Sequence, residues 1–301
     1  EYELRPFFHA SLHDPAAVRY RHDVFRDLER SAPRAAVETF ADGMRAVRAL
    51  LARAGKSHYS LERQRLLLEA IDTHCEAVPS LVEELGGAEL QSLGFQGSLE
   101  YLRRYVQSAE FTSLVAETQA LLGALAEIRY SLHIKGARVR VGRYESEADL
   151  SVEIEATFAK FRQRATKDCL AKLDEWPQLN HVEAQILALV ARLHPDVFAS
   201  LADYYNRHRG FLDPTIGRFD KEVQFYLAYL EYIEPLRAAG LAFCYPEVSA
   251  RSKDVCAEQA FDLALAGKLV GEDSQVVCND FRMSDPERIF VVTGPNQGGK
   301  T

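Results

Sequence analysis

Apolar residues recur every three or four positions through most of the first 240 residues, which commits the bulk of the chain to packed amphipathic helices. Asp14 and Pro15 open the first: an N-cap residue, then proline where a helical N–H has no partner anyway. The spacing carries that helix to just before Pro33. Val37, Phe40, Met44, Val47 and Leu51 mark a second helix, closed by Gly55. Leu61, Leu68, Ile71, Cys75 and Val78 mark a third from near Ser60, which Pro79 is expected to bend or end. Gly86, Gly87, Gly94 and Gly97 read as punctuation before a helical stretch from Ser98 to about Ile128.

Helical spacing resumes near Ser151, with Phe158, Phe161, Ala165, Cys169 and Leu173 on one face. Asn180 and Glu183 form a capping pair for a helix carrying Ile186, Leu189, Val190 and Leu193. Another follows Pro195 to about Arg209, and the last runs from near Phe219 to Ala239, stopped by Gly240. Its aromatic series Phe225, Tyr226, Tyr229 and Tyr232 reads as packing, because it is interleaved with acids and not with arginines.

The helical pattern breaks once in the middle. Tyr130, Leu132 and Ile134 alternate with Ser131 and His133, and the alternation repeats over Arg138-Val-Arg-Val141 across a Lys135-Gly136-Ala137 turn, which is a β-hairpin signature. Arg129, Lys135, Arg138, Arg140 and Arg143 crowd this segment with no acidic residue between Ile128 and Tyr144. The formal net charge is −8, so contact with nucleic acid over the whole surface is excluded and any such contact must be local. Two readings of the cations stay open: one solvated face of a hairpin, or a patch for phosphates.

Beyond Gly240 short β-rich runs appear at Leu241–Tyr245, Gln275–Cys278 and Ile289–Val292, and the last leads into a glycine-rich loop. Gly294, Gly298, Gly299, Lys300 and Thr301 fit the pattern G-x-x-x-x-G-K-S/T. Glycines there let successive backbone N–H groups turn toward phosphate oxygens, the lysine reaches the β and γ phosphates, and the hydroxyl ligates Mg²⁺. Arg288-Ile-Phe-Val-Val-Thr293 is expected to be the buried strand before the loop. The helix that should follow such a loop is not in this sequence, so the chain alone is expected to be inactive as an ATPase.

Thr293-Gly-Pro-Asn-Gln-Gly-Gly-Lys-Thr301 resembles the T-G-P-N-x-G-G-K-S/T loop of the MutS family of DNA mismatch repair ATPases. Val276-Val-Cys-Asn-Asp-Phe281 is similar to the adenine-side segment of that family, and Tyr245-Pro-Glu-Val248 to the entry of its ATPase domain. Two positions depart from the pattern: Phe261-Asp-Leu-Ala-Leu265 replaces an R-H-P segment, and Val276 stands where an adenine-stacking aromatic aligns. There is also no sign of the N-terminal mismatch-reading domain. The resemblance implies a mainly α fold, with a multi-helix core, long lever-like helices and a small β clamp, followed by the first strands of a P-loop ATPase domain. It divides the chain into a core and outgoing lever (1–127), a clamp (128–150), a returning lever (151–240) and the ATPase part (241–301).

It implies ATP and Mg²⁺ as cofactors, held by Gly294, Pro295, Asn296, Gly298, Gly299, Lys300 and Thr301, with Thr301 on the metal. It implies a homodimer on double-stranded DNA; charge and position make Lys135, Arg138, Arg140 and Arg143 the expected contacts to the DNA backbone. A MutS relative that docks proteins without reading mismatches, and a chromosome-organising ATPase with coiled-coil arms, remain alternatives.

Length and composition fit about two domains, and no apolar run reaches the roughly twenty residues of a membrane span. Five cysteines, Cys75, Cys169, Cys244, Cys256 and Cys278, form no C-x-x-C pair, the expectation for free thiols in a reducing cytoplasm. His9 and His13 have zinc-compatible spacing but too little helix between Pro6 and Pro15 and no third ligand. The start at Glu1, without an initiator methionine, is expected to be a fragment boundary.

Overall fold

The structure is a computed structural model that describes residues 4–135, 138–145, 181–291 and 293. It is mainly helical, with two small antiparallel two-stranded sheets among the described residues. Its helices are α1 (Arg5–His9), α2 (Pro15–Leu28), α3 (Ser31–Lys56), α4 (Ser60–Gly86), α5 (Leu93–Val106), α6 (Ala109–Ala126), α7 (His181–Leu193), α8 (Pro195–His208), α9 (Pro214–Ala238) and α10 (Leu263–Gly271). The strands are β1 (Tyr130–Lys135), β2 (Arg138–Arg143), β3 (Val255–Ala260) and β4 (Asn279–Met283). The expected helix from Ser151, the phosphate loop, Asn180 and Cys169 lie outside the described residues. No helix among the described residues is long and apolar enough to cross a membrane.

Local signals set several helix ends. Asp14 accepts the N–H of Ala16 at 2.9 Å and Pro15 occupies the first turn, as the sequence predicts. Gly240 has φ of +86°, and the N–H groups of Leu241 and Gly240 return to the carbonyls of Leu236 and Arg237, closing α9 with a Schellman turn. At α1 the helix stops at His9, so His9 and His13 share no helical face.

Elsewhere packing overrides the local signal. Pro79 does not end its helix: α4 runs on to Gly86 with proline inside it. Buried Val78, Leu81 and Leu85 flank the proline, and their burial offsets the hydrogen bond that it removes. Gly94 and Gly97 lie within α5, and the break expected at them falls instead at Gln107 and Ser108, where Ser108 caps α6 by accepting the N–H of Phe111 at 3.2 Å. A Cβ on Gly94 would meet the Tyr20 hydroxyl at 2.7 Å, so this glycine permits close approach of α2 to α5.

The chain forms two compact units. One comprises Glu1–Ala41, Leu81–Leu102 and Pro214–Thr301, and the other Asp42–Ser80 and Arg103–Asp213. In the first, Val24 and Leu28 of α2, Phe40 of α3, Leu85 of α4, Phe95 of α5 and Ile216, Val223 and Ile233 of α9 are buried. Of the aromatic series of α9, Phe225, Tyr226 and Tyr229 pack against Phe25, whose ring lies 4.8 Å from that of Tyr226 and 5.4 Å from that of Tyr229, while Tyr232 is 47% exposed. Asp27 is buried among these residues, with its carboxylate turned to the start of α5.

In the second unit Leu67, Leu68, Ile71 and Cys75 of α4 pack with Phe111, Leu114 and Leu121 of α6, Val190 of α7, and Phe198, Leu201 and Tyr204 of α8. Inside this core the Tyr204 and Thr118 hydroxyls lie 2.7 Å apart, and Thr118 donates to the Leu114 carbonyl. Burial pushes the Tyr204 phenol up and the Cys75 thiol up to about 12, so both are neutral packing groups at neutral pH. His74 is buried here too, its Nε2 at 3.3 Å from the Tyr105 hydroxyl and its ring against Phe211.

The β runs expected after Gly240 are corrected by the structure. Leu241–Tyr245, Gln275–Cys278 and the segment 288–291 carry no strand. β3 and β4 instead pair with each other, antiparallel, with an irregularity between Ala257 and Ala260. Ile289 and Val291 are each 81% exposed, and Phe290 rests edge-on against Phe281 of β4. A buried parallel strand is held by paired strands on both sides, and among the described residues no strand pairs with this segment.

Candidate nucleic-acid interface

The hairpin follows α6 directly and pairs in one uninterrupted register, from Tyr130 opposite Arg143 to Lys135 opposite Arg138. Residues directly opposite in an antiparallel pair project to the same face. One face therefore carries Lys135, Arg138, His133 and Arg140, with Ser131 and Gly142 at its base. The other carries Tyr130, Leu132, Val139, Val141 and, at its base, Arg143. Charge and apolar surface are sorted onto opposite sides of a two-stranded ribbon.

The apolar side anchors the hairpin. Val141 packs against the core of the second unit and β2 lies along α7. Away from that contact this side is open: Tyr130 at the base is 42% exposed, and Leu132 and Val139 nearer the tip are 43% and 36% exposed. The basic side holds Lys135 opposite Arg138 and His133 opposite Arg140, with Lys135, Arg138 and Arg140 exposed. Like charges placed directly opposite each other cost stability. An arrangement that keeps them stacked is suited to an anionic partner whose charges alternate with theirs.

Of the four expected phosphate contacts, the register brings Lys135, Arg138 and Arg140 together and leaves Arg143 out. Arg143 faces the other way and donates to the backbone carbonyl of Leu193 at the end of α7, at 3.3 Å. With Arg129 and Tyr144 it borders a cavity of about 520 Å³ in which Glu127 and Asp196 supply compensating negative charge. Strand parity carries the signal for this sorting, because Arg138 and Arg140 are two positions apart while Arg143 is an odd step from both. A count of cations that ignores parity misses it.

The other expected site, Gly294, Pro295, Asn296, Gly298, Gly299, Lys300 and Thr301, lies outside the described residues, so the assignment of ATP and Mg²⁺ to it rests on the sequence pattern. Among the described residues no group of three or more His, Cys, Asp or Glu side chains is arranged to hold a metal ion. Cys75 is buried and unpaired, and Cys244, Cys256 and Cys278 are exposed and unpaired.

Fold and site together define a class: a mainly helical protein that presents a short, two-faced basic hairpin. Comparison of the chain with protein-family models, with curated proteins and with solved structures gave no significant match.

Proposed function

We propose that this chain is the DNA-binding core and clamp region of a MutS-related, ATP-dependent DNA mismatch repair or recombination protein, acting in the cytoplasm as a homodimer on double-stranded DNA. The observation that carries the DNA reading is the single exposed face formed by Lys135, Arg138 and Arg140. Such a face neutralises phosphates without reading bases, so binding is independent of sequence and steeply dependent on salt. The ATP reading is carried by the loop sequence from Gly294 to Thr301, in which Lys300 would reach the phosphates and Thr301 would ligate Mg²⁺.

The test is a salt titration of duplex DNA binding. Replacing Lys135, Arg138 and Arg140 together with alanine is expected to weaken binding to all sequences alike and to lower the slope of log K against log salt by roughly two to three units. An unchanged affinity and slope would sink the DNA reading. Protein docking is the second reading, favoured by the exposed Tyr130, Leu132 and Val139 on the opposite face. Under it the triple variant leaves DNA affinity untouched. For the loop, Mg-ATP binding by a longer chain that carries a helix after Thr301 is expected to be lost in Lys300→Ala.

A further inference from the structure

Within the first unit, α1, α2, α9 and the segment around Tyr245 enclose a cleft of about 280 Å³ that the DNA and ATP readings leave unused. Its walls are rings. Phe225 is flanked by Phe8, with centroids 4.8 Å apart, and by Phe25 at 6.1 Å, while Tyr229 and Phe243 complete the lining. Small-ligand sites are concave and mostly apolar, with a few polar groups converging on them, and this volume lies just below their usual range of roughly 300–1,000 Å³. The occupant is accordingly limited to one or two fused rings.

The polar groups decide its charge. Arg237 sits 5.5 Å from the Phe243 ring centre and is already neutralised by Glu29, to which it donates at 2.6 Å. Arg21 sits 5.2 Å from the Phe225 ring centre and also borders the neighbouring cavity, to which the carboxylates of Asp14 and Glu222 belong. His22 adds no charge at neutral pH, because burial and the neighbouring Arg26 hold its imidazole below the ordinary range. Within the lining Arg21 and Arg237 against Glu29 leave one net positive charge beside apolar rings, complementary to a single negative charge on a flat apolar body.

We propose that this cleft is a binding site for a small planar aromatic monoanion, its rings against Phe25, Phe225 and Tyr229 and its acid group on Arg21. The hairpin belongs to the other unit, so this site stands or falls independently of DNA binding.

The experiment is isothermal titration calorimetry of the 301-residue chain with 2-naphthoate and, separately, with neutral 2-naphthylmethanol. Saturable one-to-one binding of the acid at sub-millimolar concentration is expected, with the alcohol at least tenfold weaker. Arg21→Gln is expected to bring the acid down to the affinity of the alcohol. Leu12→Trp, at a half-exposed position of the lining, is expected to fill the cleft and abolish binding of both while the far-ultraviolet circular dichroism stays unchanged. The absence of saturable binding, equal affinity for acid and alcohol, or undiminished binding in a folded Leu12→Trp protein would each overturn the proposal. The comparison of acid with alcohol needs no variant, so it decides the question even if a substituted chain fails to fold.

Discussion

The carboxylate of Asp27, buried in α2, accepts the backbone N–H of Ser92 at 2.8 Å and so holds the first turn of α5 from another helix. Gln91 donates its N–H to the same carboxylate at 3.0 Å, Arg30 forms an ion pair with it, and Ser92 in turn caps α5 by accepting the N–H of Phe95 at 3.2 Å. One side chain thus satisfies orphan donors at a helix start that is 65 residues away in sequence. Asp27→Ala is expected to destabilise the protein by about 3 kcal/mol, measured by urea unfolding, because the buried Ser92 N–H loses its acceptor and Arg30 its ion-pair partner.

The same carboxylate makes stability depend on acid. Burial alone would raise its pKa, but hydrogen bonds from Ser92 and Gln91, together with Arg30, hold it below the ordinary value of 3.8. A depressed folded value means that the contribution is complete above the unfolded value and is lost as pH falls through the folded one. Asp27→Asn is therefore expected to flatten the stability profile below about pH 4, and a profile identical to that of the unsubstituted protein would contradict this.

His74 gives a second pH dependence in a different window. Burial lowers its imidazole from 6.5 to about 4, with Asp213 opposing the shift, so the ring is neutral in the folded core. The unfolded chain takes up the proton first, and stability falls as pH drops from 6.5 toward 4. The expected loss is on the order of 3 kcal/mol across that window, and it should vanish in His74→Gln. Urea unfolding at pH 7 and pH 5 reads about 2 kcal/mol of that difference, and extending it to pH 4 reads most of the rest.

Gly43 of α3 sits where a Cβ would lie 2.9 Å from the Cβ of Ala77 in α4. Neither atom can rotate away, so Gly43→Ala must push the helices apart, at about 1–3 kcal/mol, against a helix-propensity gain of about 1 kcal/mol. Net destabilisation is expected, and adding Ala77→Gly should relieve the clash. A lower Tm in the double variant than in Gly43→Ala would show that the contact is not the cause.

Arg143 separates position from charge. It carries the same charge as Arg138 and Arg140, yet it bonds the Leu193 carbonyl on the opposite side of the hairpin. Arg143→Ala is expected to leave the salt slope of DNA binding unchanged within half a unit, while Arg140→Ala lowers it by about one. Faster hydrogen exchange of the β1 and β2 amides in Arg143→Ala would report its anchoring role.

Features governed by nearest neighbours are legible in the sequence. Asp14 and Pro15 open α2, Gly240 ends α9, and the alternation from Tyr130 to Arg143 yields a hairpin, because capping, left-handed backbone and two-residue periodicity are satisfied within a few residues. Features governed by distant partners are not. Gly94 reads locally as punctuation and lies inside α5, whose Phe95, Leu99 and Leu102 are buried, and Pro79 reads as a bend or an end and lies inside α4 beside buried Val78, Leu81 and Leu85. The apolar run from Ile289 reads as a buried strand, yet a strand exists only where another chain segment completes its hydrogen bonds. Sequence alone determined that most of the chain before Gly240 is helical and where the cations concentrate, but not the helices Arg5–His9 and Leu263–Gly271. Strand parity already separates Arg138 and Arg140 from Arg143; tertiary structure decided that Lys135 joins them opposite Arg138 and that Arg143 is tied to Leu193, because strand register and docking against α7 are set by distant partners.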